Sequence, residues 1–260
     1  MFRNQYDNDI TTWSPQGRLH QVEYAMEAVK QGSATVGAKC KTHTVLVALK
    51  RAPQAELSSH QPKTFKLDKH MGMTIAGLTP DARVLARYMR TECMNHRYVF
   101  NSAIPVSRLV TRVADKSQRS TQVASKRPFG VGLLVAGYDQ LGPCLYETCP
   151  SGQFYNYKAM AIGARAQSAK TYLEKNFEKF ENCTVDELVV HCLKALESTC
   201  AEGVELSQAN TTVAVVGKDT DFTTYDDDDA TRWLDLLQKA KDEAAPAPAE
   251  PASESSPMEE

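Results

Sequence analysis

The sequence predicts an α+β fold in which two antiparallel sheets stack face to face and helices cover both outer surfaces, a four-layer αββα sandwich. Several predicted strands are apolar on both faces, so both of their faces must be covered. Each predicted helix, in contrast, is apolar on one face only. The elements also follow one another in blocks: strands, two helices, strands, two helices, a hairpin and a final helix. Stacked sheets with outer helices satisfy these observations together.

An additional helix is predicted before the first strand. Residues 13–17 predict a tight turn, because Pro15 fixes φ at its second position and the closing glycine tolerates the exit geometry. From residue 19 to residue 30, apolar side chains recur on one helical face: Leu19, Val22, Met26 and Val29. Gly32 ends this pattern and is predicted to adopt a left-handed cap. The pattern fits a helix that packs on its own domain, or one that packs partly on a neighbouring subunit.

The first half of the sandwich is predicted to contain two strands, a hairpin and two helices. The strands cover residues 34–38 and 44–49, and the hairpin covers residues 65–67 and 71–78. Thr79-Pro80-Asp81 predicts a helix start, with an N-cap threonine, a proline at the first position and an acid in the first turn. Pro105 opens the second helix, whose aligned apolar residues are Val106, Leu109, Val110 and Val113.

Two faces of the helix after Thr79 differ in character. Its predicted buried face carries Val84, Leu85, Tyr88 and Met89. A second face carries an arginine stripe of Arg83, Arg87 and Arg90. Because aromatic residues are not interleaved with these arginines, the stripe is typical of a solvated surface rather than of a nucleic-acid site.

The second half repeats this order. Strands are predicted at residues 131–138, 145–148, 154–157 and 159–162. One helix is aligned through Ala166, Ala169, Leu173 and Phe177, and the next begins with a Thr184–Glu187 capping box and buries Leu188, Cys192 and Leu196. A hairpin at residues 213–217 and 222–225 leads through Asp226–Asp229 into a final helix with Trp233, Leu236, Leu237 and Ala240. The four acids lack the EF-hand spacing, so a helix-dipole contact is predicted there instead of calcium.

Composition restricts the function classes. The chain has 260 residues and a formal net charge of −2, which argues against a dedicated nucleic-acid binder. It contains no apolar run long enough for a membrane span and no apolar signal region near Met1. Seven cysteines without a C-x-x-C pair favour free thiols over a disulfide framework or a zinc site. No metal site and no cofactor are predicted.

The chain divides into three predicted parts. Residues 1–32 form an arm, a turn and a helix, and residues 33–243 form the sandwich. Residues 244–260 are predicted to be a disordered acidic tail rich in proline and alanine, because they contain no aromatic or β-branched residue.

The N-terminal segment also resembles a known family signature. The run YDNDITTWSPQGRLHQVEYA, from Tyr6 to Ala25, resembles the signature of proteasome alpha-type subunits. Further resemblance extends to about Ala240 and includes residues 162–165, 167–169, 171–174 and 225–229. It implies the N-terminal nucleophile hydrolase fold and a place in the outer, seven-membered alpha rings of the proteasome core particle. The implied partners are other alpha subunits, beta-ring subunits and activators that dock through C-terminal tails.

The resemblance implies a subunit without its own active site. Catalytic relatives use a freed N-terminal threonine whose α-amine acts as base. Catalytic relatives also hold this threonine with an acidic residue and a lysine. By the resemblance, Ser33 takes the position of the threonine, and Leu49 lies at or next to the position of the acid. Gln61 lies near the position of the lysine, and the nearest lysines are Lys50 and Lys63. Residues 1–32 precede Ser33, so without cleavage it has no free α-amine. The chain is therefore expected to support ubiquitin-dependent degradation as a non-catalytic subunit, in cytoplasm and nucleus.

Two sites are implied by the same resemblance. In the family, a gate cluster equivalent to Tyr6, Asp7, Pro15 and Tyr24 holds the N-terminal arms open, with a phenol and carboxylate of one arm meeting a phenol of the next subunit. A pocket lysine, here Lys63, receives the terminal carboxylate of an activator tail; the alternative is a solvated loop lysine. Two other functions stay open: a self-processing N-terminal nucleophile hydrolase, and a free-standing binding protein that would be monomeric.

Overall fold

Two five-stranded antiparallel sheets form the centre of the protein. The computed structural model describes residues 5–50, 62–201 and 203–242. The first sheet has the strand order β10-β9-β2-β1-β8. Its strands are β1 (Thr35–Lys39), β2 (His43–Leu49), β8 (Ala159–Ile162), β9 (Thr211–Gly217) and β10 (Thr220–Asp226). The second sheet has the order β3-β4-β5-β6-β7. Its strands are β3 (Thr64–Asp68), β4 (Met71–Gly77), β5 (Val131–Asp139), β6 (Gly142–Thr148) and β7 (Phe154–Asn156).

Helices cover the outer face of each sheet. The described helices are α1 (His20–Gln31), α2 (Thr79–Phe100), α3 (Val106–Ser120), α4 (Ala166–Phe180), α5 (Val185–Glu197) and α6 (Thr231–Asp242). Helices α2 and α3 pack on the second sheet, whereas α4 and α5 pack on the first and α6 packs on α5. The predicted αββα sandwich is therefore confirmed.

The core lies in three apolar layers. One layer lies between the two sheets and includes Leu46, Leu134 and Phe222. The other two lie between each sheet and its helices. Strands β2, β5 and β9 are buried along most of their length, because each contributes side chains to two layers. This two-sided burial is what their continuous apolar sequences predicted.

Helix α1 lies at one end of the sandwich against β4 and β5. Its Val22 and Ala25 are buried, and Val29 packs partly against the layer between the sheets. Met26, predicted on the buried face, is instead 37% exposed. The helix thus buries a narrower face on its own domain than its apolar pattern predicted.

Several local predictions were wrong in detail. Gly32 has φ −65° and ψ 150°, which is extended backbone and not a left-handed cap. Leu78, and not Thr79, is the N-cap of α2. Val84 is 55% exposed, because Ala82, Leu85, Ala86 and Met89 fill the buried face of α2. Phe177 is 40% exposed, since Phe180 takes the buried position near the end of α4.

The strand at residues 159–162 belongs to a different sheet from the strands that precede it in the chain, with which the sequence analysis grouped it. β8 follows β7 in the chain but pairs with β1 of the other sheet, with Thr35 opposite Ile162. The capping box at the start of α5 is confirmed, since Thr184 and Glu187 each bond to the other's backbone nitrogen. The tail after Asp242 and the loop position Gln61 lie outside the described residues.

Candidate functional sites

The polar arm folds back onto α1. The Tyr24 hydroxyl donates to the Asp7 Oδ2 atom at 3.1 Å, and the Gln21 side-chain amide donates to the Asp7 carbonyl oxygen. The hydrogen bond to Asp7 raises the pKa of Tyr24. Tyr24 remains 49% exposed, so its hydroxyl lies at the surface. The structure therefore brings together the carboxylate and phenol of the gate cluster within one chain, whereas the expected contact joined two neighbouring subunits.

The tight turn before α1 is stabilised by its own backbone. The Ser14 N–H donates to the Arg18 carbonyl oxygen at 2.9 Å, and the Gly17 N–H donates to the Ser14 carbonyl oxygen at 2.9 Å. Gly17 has φ +75°, which only glycine adopts readily. Pro15 lies exposed in this turn, and Tyr6 is 38% exposed in the arm. The structure thus places Tyr6, Pro15 and Tyr24 at the surface and Asp7 partly exposed, and Asp7 is the member that joins the arm to α1.

Lys63 is buried against the start of β1. Its ammonium group donates to the Ser33 carbonyl oxygen at 2.7 Å and to the Ser33 Oγ atom at 2.6 Å. Longer contacts join it to the carbonyl oxygens of Ala34 at 3.3 Å and Leu49 at 3.2 Å. Lys63 is 8% exposed, so it is not the solvated loop lysine that was its alternative. Three of the residues compared with a catalytic site, Ser33, Leu49 and Lys63, therefore meet here, although Leu49 takes part through its backbone.

Glycine residues line the backbone next to Lys63. A Cβ atom on Gly32 would lie 2.2 Å from the Gly77 nitrogen, and one on Gly77 would lie 2.3 Å from the Gly130 carbonyl oxygen. Gly77 also has φ +116°. We call Gly32, Gly77 and Gly130 the glycine contact, because their backbones pack directly against one another. Gly32 is required because two backbone segments approach closely there, and this explains why its left-handed cap was a wrong prediction.

An ion pair between the buried Asp81 and the largely exposed Arg127 supports the glycine contact. Asp81 accepts two hydrogen bonds from the Arg127 guanidinium, at 2.6 and 2.7 Å, and a third from the Gly130 N–H at 3.0 Å. The hydrogen bond from Arg127 is the main reason why the pKa of Asp81 is lowered. The sequence presented Asp81 only as a first-turn helix acid. The 46 residues that separate it from Arg127 left no local signal for the pair.

Lys50 and the four acids form a separate cluster. The Lys50 ammonium lies 2.9 Å from Asp226 Oδ1 and 3.2 Å from Asp227 Oδ1. A short 3-10 helix over Asp227–Ala230 separates these acids from α6. Two of the acids are thus held by an ion pair with Lys50, whereas Asp228 and Asp229 lie just before α6, where the helix-dipole contact stays a prediction. Lys50 points to this cluster, so it is Lys63 that reaches Ser33.

No helix in the ranges 5–50, 62–201 and 203–242 combines the length and apolar character that crossing a membrane requires. Within the same ranges, histidine, cysteine, aspartate and glutamate side chains do not gather in threes or more around a possible metal position.

Comparison with known proteins identifies the family. A family profile described as "Proteasome subunit" matches residues 29–216, and a profile of the N-terminal signature of A-type proteasome subunits matches residues 6–28. Proteasome subunit alpha type-1 of Dictyostelium discoideum is 56% identical over 239 residues, which cover 92% of this chain and 96% of the relative. The proteins of the same name from Trypanosoma brucei rhodesiense and Drosophila melanogaster are 55% and 52% identical, over 96% and 92% of this chain and 94% and 86% of their own lengths. The chain therefore belongs to the proteasome subunit family, as an alpha-type subunit of the core particle's alpha ring within a multi-subunit protease complex.

Proposed function

We propose that this chain is a non-catalytic structural and gating subunit of a seven-membered outer alpha ring, in which it controls substrate entry and receives activator tails. The observation that carries the proposal is the anchoring of the arm on α1 by Asp7, Gln21 and Tyr24. Through the complex, it would serve ubiquitin-dependent protein degradation in the cytoplasm and nucleus.

The arm can act as a gate because its anchor is weak and local. It consists of the Gln21 hydrogen bond to the Asp7 backbone and one phenol–carboxylate hydrogen bond, which is worth less than the ~1.5–3 kcal/mol of a sheltered bond to a charged group because Tyr24 is exposed to water. A contact of this size can form and break as a ring opens and closes, whereas the buried turn residue Ser14 keeps the base of the arm in place. In the ring, the same hydroxyl and carboxylate can exchange partners with a neighbouring subunit.

Removing this hydrogen bond should reduce activated substrate entry. Tyr24→Phe and Asp7→Ala are each expected to lower activator-stimulated peptide hydrolysis by the assembled core particle roughly two- to tenfold, because the open arrangement loses one contact. In core particles whose gate is already held open by another alteration, the same two variants should leave the rate of peptide hydrolysis unchanged. Tyr98→Phe removes a hydroxyl from a side chain that is 92% exposed on α2 and is the matched control. Unchanged stimulation in both gate variants would remove the gate cluster from the proposal.

Activator docking is proposed at Lys63. Oxygens of Ser33, Ala34 and Leu49 hold its ammonium group in place, so Lys63 supplies a fixed positive charge at the start of β1. The terminal carboxylate of an activator tail has the opposite charge, and a charge-assisted hydrogen bond to this ammonium would stabilise docking.

The absence of catalysis is proposed from the covalent state of Ser33. Its nitrogen is in a peptide bond with Gly32 in the chain described, so it cannot act as the base that a terminal nucleophile needs. One observation favours the alternative of a self-processing hydrolase: the Lys63 ammonium lies 2.6 Å from Ser33 Oγ. However, the Ser33 carbonyl oxygen also binds this ammonium at 2.7 Å, which is consistent with a structural contact.

The two functions predict different outcomes for Ser33→Ala. If the chain is non-catalytic, core particles that carry this variant hydrolyse peptides at an unchanged rate, because the reacting groups belong to other subunits. The intact mass of the chain from purified particles should also include the residues before Ser33. A mass corresponding to a chain that begins at Ser33, together with lost hydrolysis in the variant, would instead establish the hydrolase.

A further inference from the structure

A basic and partly aromatic groove lies along the free edge of strand β8. This strand ends the first sheet, and among the described strands it pairs only with β1. Two adjoining pockets of about 410 and 260 Å³ lie beside this strand and α4, and both are lined by Lys158 and Phe177. Phe177 is 40% exposed, and Tyr157 supplies a second ring. We call the surface that Lys39, Tyr157, Lys158, Lys170 and Phe177 define the edge groove.

The lysines of the edge groove are not paired with acids of the described chain. Within residues 5–50, 62–201 and 203–242, the lysines that form ion pairs are Lys30, Lys41, Lys50 and Lys241. Lys39 instead donates to the Asn156 side-chain oxygen at 3.2 Å, and Lys158 lies over an aromatic ring of the groove. The walls of the two pockets together carry four lysines and two glutamates. The groove therefore has a positive net charge.

The chain itself supplies a segment of opposite charge after Asp242. Residues 243–260 contain five glutamates and four prolines, and no lysine or arginine. Proline-rich segments favour the extended polyproline II conformation, which binds grooves lined by aromatic side chains. Carboxylates on such a segment can pair with lysines beside the rings. The segment therefore matches the edge groove both in charge and in the side chains that it can contact.

The described chain ends on the layer of helices that borders the groove. Lys241 pairs with Glu197, so the end of α6 lies beside the end of α5. Arg165, the N-cap of α4, donates to the Cys200 carbonyl oxygen at 3.0 Å, so the end of α5 lies near the start of α4. Helix α4 in turn packs on β8. A segment that leaves α6 therefore reaches the groove by crossing α5 and α4.

The segment is long enough for this path. Neighbouring helices pack about 8–10 Å apart, so crossing two of them takes about 20 Å. Moving along α4 from residue 165 to residue 174 adds about 14 Å. At about 3.1 Å per residue, residues 243–253 cover this distance. Residues 254–260 then extend about 20 Å, which is close to the length of α4 from residue 170 to residue 181.

We propose that residues 254–260 bind the edge groove of the same chain before it joins other subunits, and thereby cover the free edge of β8. Their sequence, ESSPMEE, places Pro257 and Met258 between glutamates, so apolar side chains can contact the rings while carboxylates meet the lysines. Free edge strands pair with other chains, and covering the edge prevents this association. The proposal goes beyond gating and activator docking and depends on neither.

Zero-length crosslinking of the purified full chain locates the segment. A carbodiimide couples carboxylates to amines that contact them, and the expected products join a glutamate of residues 254–260 to a lysine of the edge groove. An equal mixture of isotope-labelled and unlabelled chains identifies the source, because a crosslink within one chain never combines the two isotopes. If about half of the products combine them, the partner is a second copy and the proposal is overturned. Crosslinks from residues 254–260 to other lysines only, or none at all, would also overturn it.

Cleavage of the segment tests whether charge holds it. Lys39→Gln/Lys158→Gln removes two charges from the groove and should make cleavage after Glu254 by a glutamyl endopeptidase about threefold faster or more, because the released segment is accessible. Lys175→Gln/Lys218→Gln makes the same change at two exposed positions outside the groove and should cleave at the unmodified rate.

Salt gives the same test without a substitution. At about 1 M salt, charges are screened beyond about 3 Å, so the unmodified chain should be cleaved as fast as the groove variant. Each rate is divided by that of a synthetic peptide of residues 243–260 under the same conditions, which corrects for the effect of salt on the protease. Equal relative rates in the unmodified chain and both variants, or a relative rate that salt leaves unchanged, would overturn the proposal.

Discussion

Lys63→Ala is expected to weaken the binding of an activator C-terminal peptide to the core particle by roughly ten- to a hundredfold. A hydrogen bond between charged groups contributes about 1.5–3 kcal/mol, and each 1.4 kcal/mol corresponds to about a factor of ten in affinity. The variant removes the charge but leaves the glycine contact unchanged. Binding can be measured with a labelled tail peptide and assembled particles.

The contacts of Lys63 set a condition for this binding. An ammonium group has three N–H donors, whereas four oxygens of Ser33, Ala34 and Leu49 lie within 3.3 Å of the Lys63 Nζ atom. The contacts to Ser33 are short, and those to Ala34 and Leu49 are longer. An incoming carboxylate can therefore replace the longer contacts while Ser33 continues to hold the ammonium group.

An amidated peptide separates docking from damage to the fold. If Lys63 receives the terminal carboxylate, amidation should weaken binding to the unmodified particle and have little further effect on the Lys63→Ala particle. This non-additivity measures the pair directly. If amidation weakens binding equally in both particles, the carboxylate has a different partner and Lys63 is a structural residue. Equal stability of the two particles towards heat completes the control.

The sequence predicted the layers of the fold because burial follows from local patterns. The β2, β5 and β9 strands are apolar at successive positions, and this required cover on both faces. The start of α5 could be predicted equally well, because a capping box is complete within four residues. In such elements, the residues that make a contact are neighbours in the chain, and their spacing reveals it.

Contacts between distant residues could not be predicted in the same way. Asp81 looked like any acid in the first turn of a helix, and its pairing with Arg127 depends on how the β5 strand enters the sheet. Two of the acids before α6, Asp226 and Asp227, likewise bind Lys50, which is 177 residues away from Asp227. β8 joins the other sheet because its apolar pattern fits either one. At each of these positions the local sequence pattern predicted the correct element, but the contact that forms there depends on residues that are distant in the chain.

The candidate sites show the same difference between what the sequence predicts and what only the structure shows. Resemblance to a family selected Asp7, Tyr24 and Lys63, and the structure adds the contacts through which each could act. It also adds the glycine contact, of which the sequence presented only Gly32, as a helix end. A glycine required by close backbone approach has the same sequence signature as a glycine required by a turn.

Gly32→Ala is expected to destabilise the chain by about 3 kcal/mol and to lower its unfolding midpoint by roughly 6–12 °C. The new methyl group would lie 2.2 Å from the Gly77 nitrogen and 2.9 Å from the Ala76 carbonyl carbon. Both are backbone atoms, so no side chain can rotate away and the two segments must separate. Thermal and denaturant unfolding of the purified chain measures the loss.

Gly142→Ala is the control that separates this clash from ordinary glycine effects. Gly142 has φ +96° and nothing within 4 Å of an added Cβ atom, so its substitution costs about 1–2 kcal/mol of backbone strain without a clash. Gly32 has an ordinary φ of −65°, and its cost arises from the clash alone. If Gly32→Ala destabilises no more than Gly142→Ala, the close approach is not a constraint in solution. If Gly32→Ala destabilises the chain more than Gly142→Ala, the close approach is a constraint in solution. If the variant also weakens tail binding, the distance between Gly32 and Gly77 sets the position of Ser33, and Ser33 in turn positions the Lys63 ammonium.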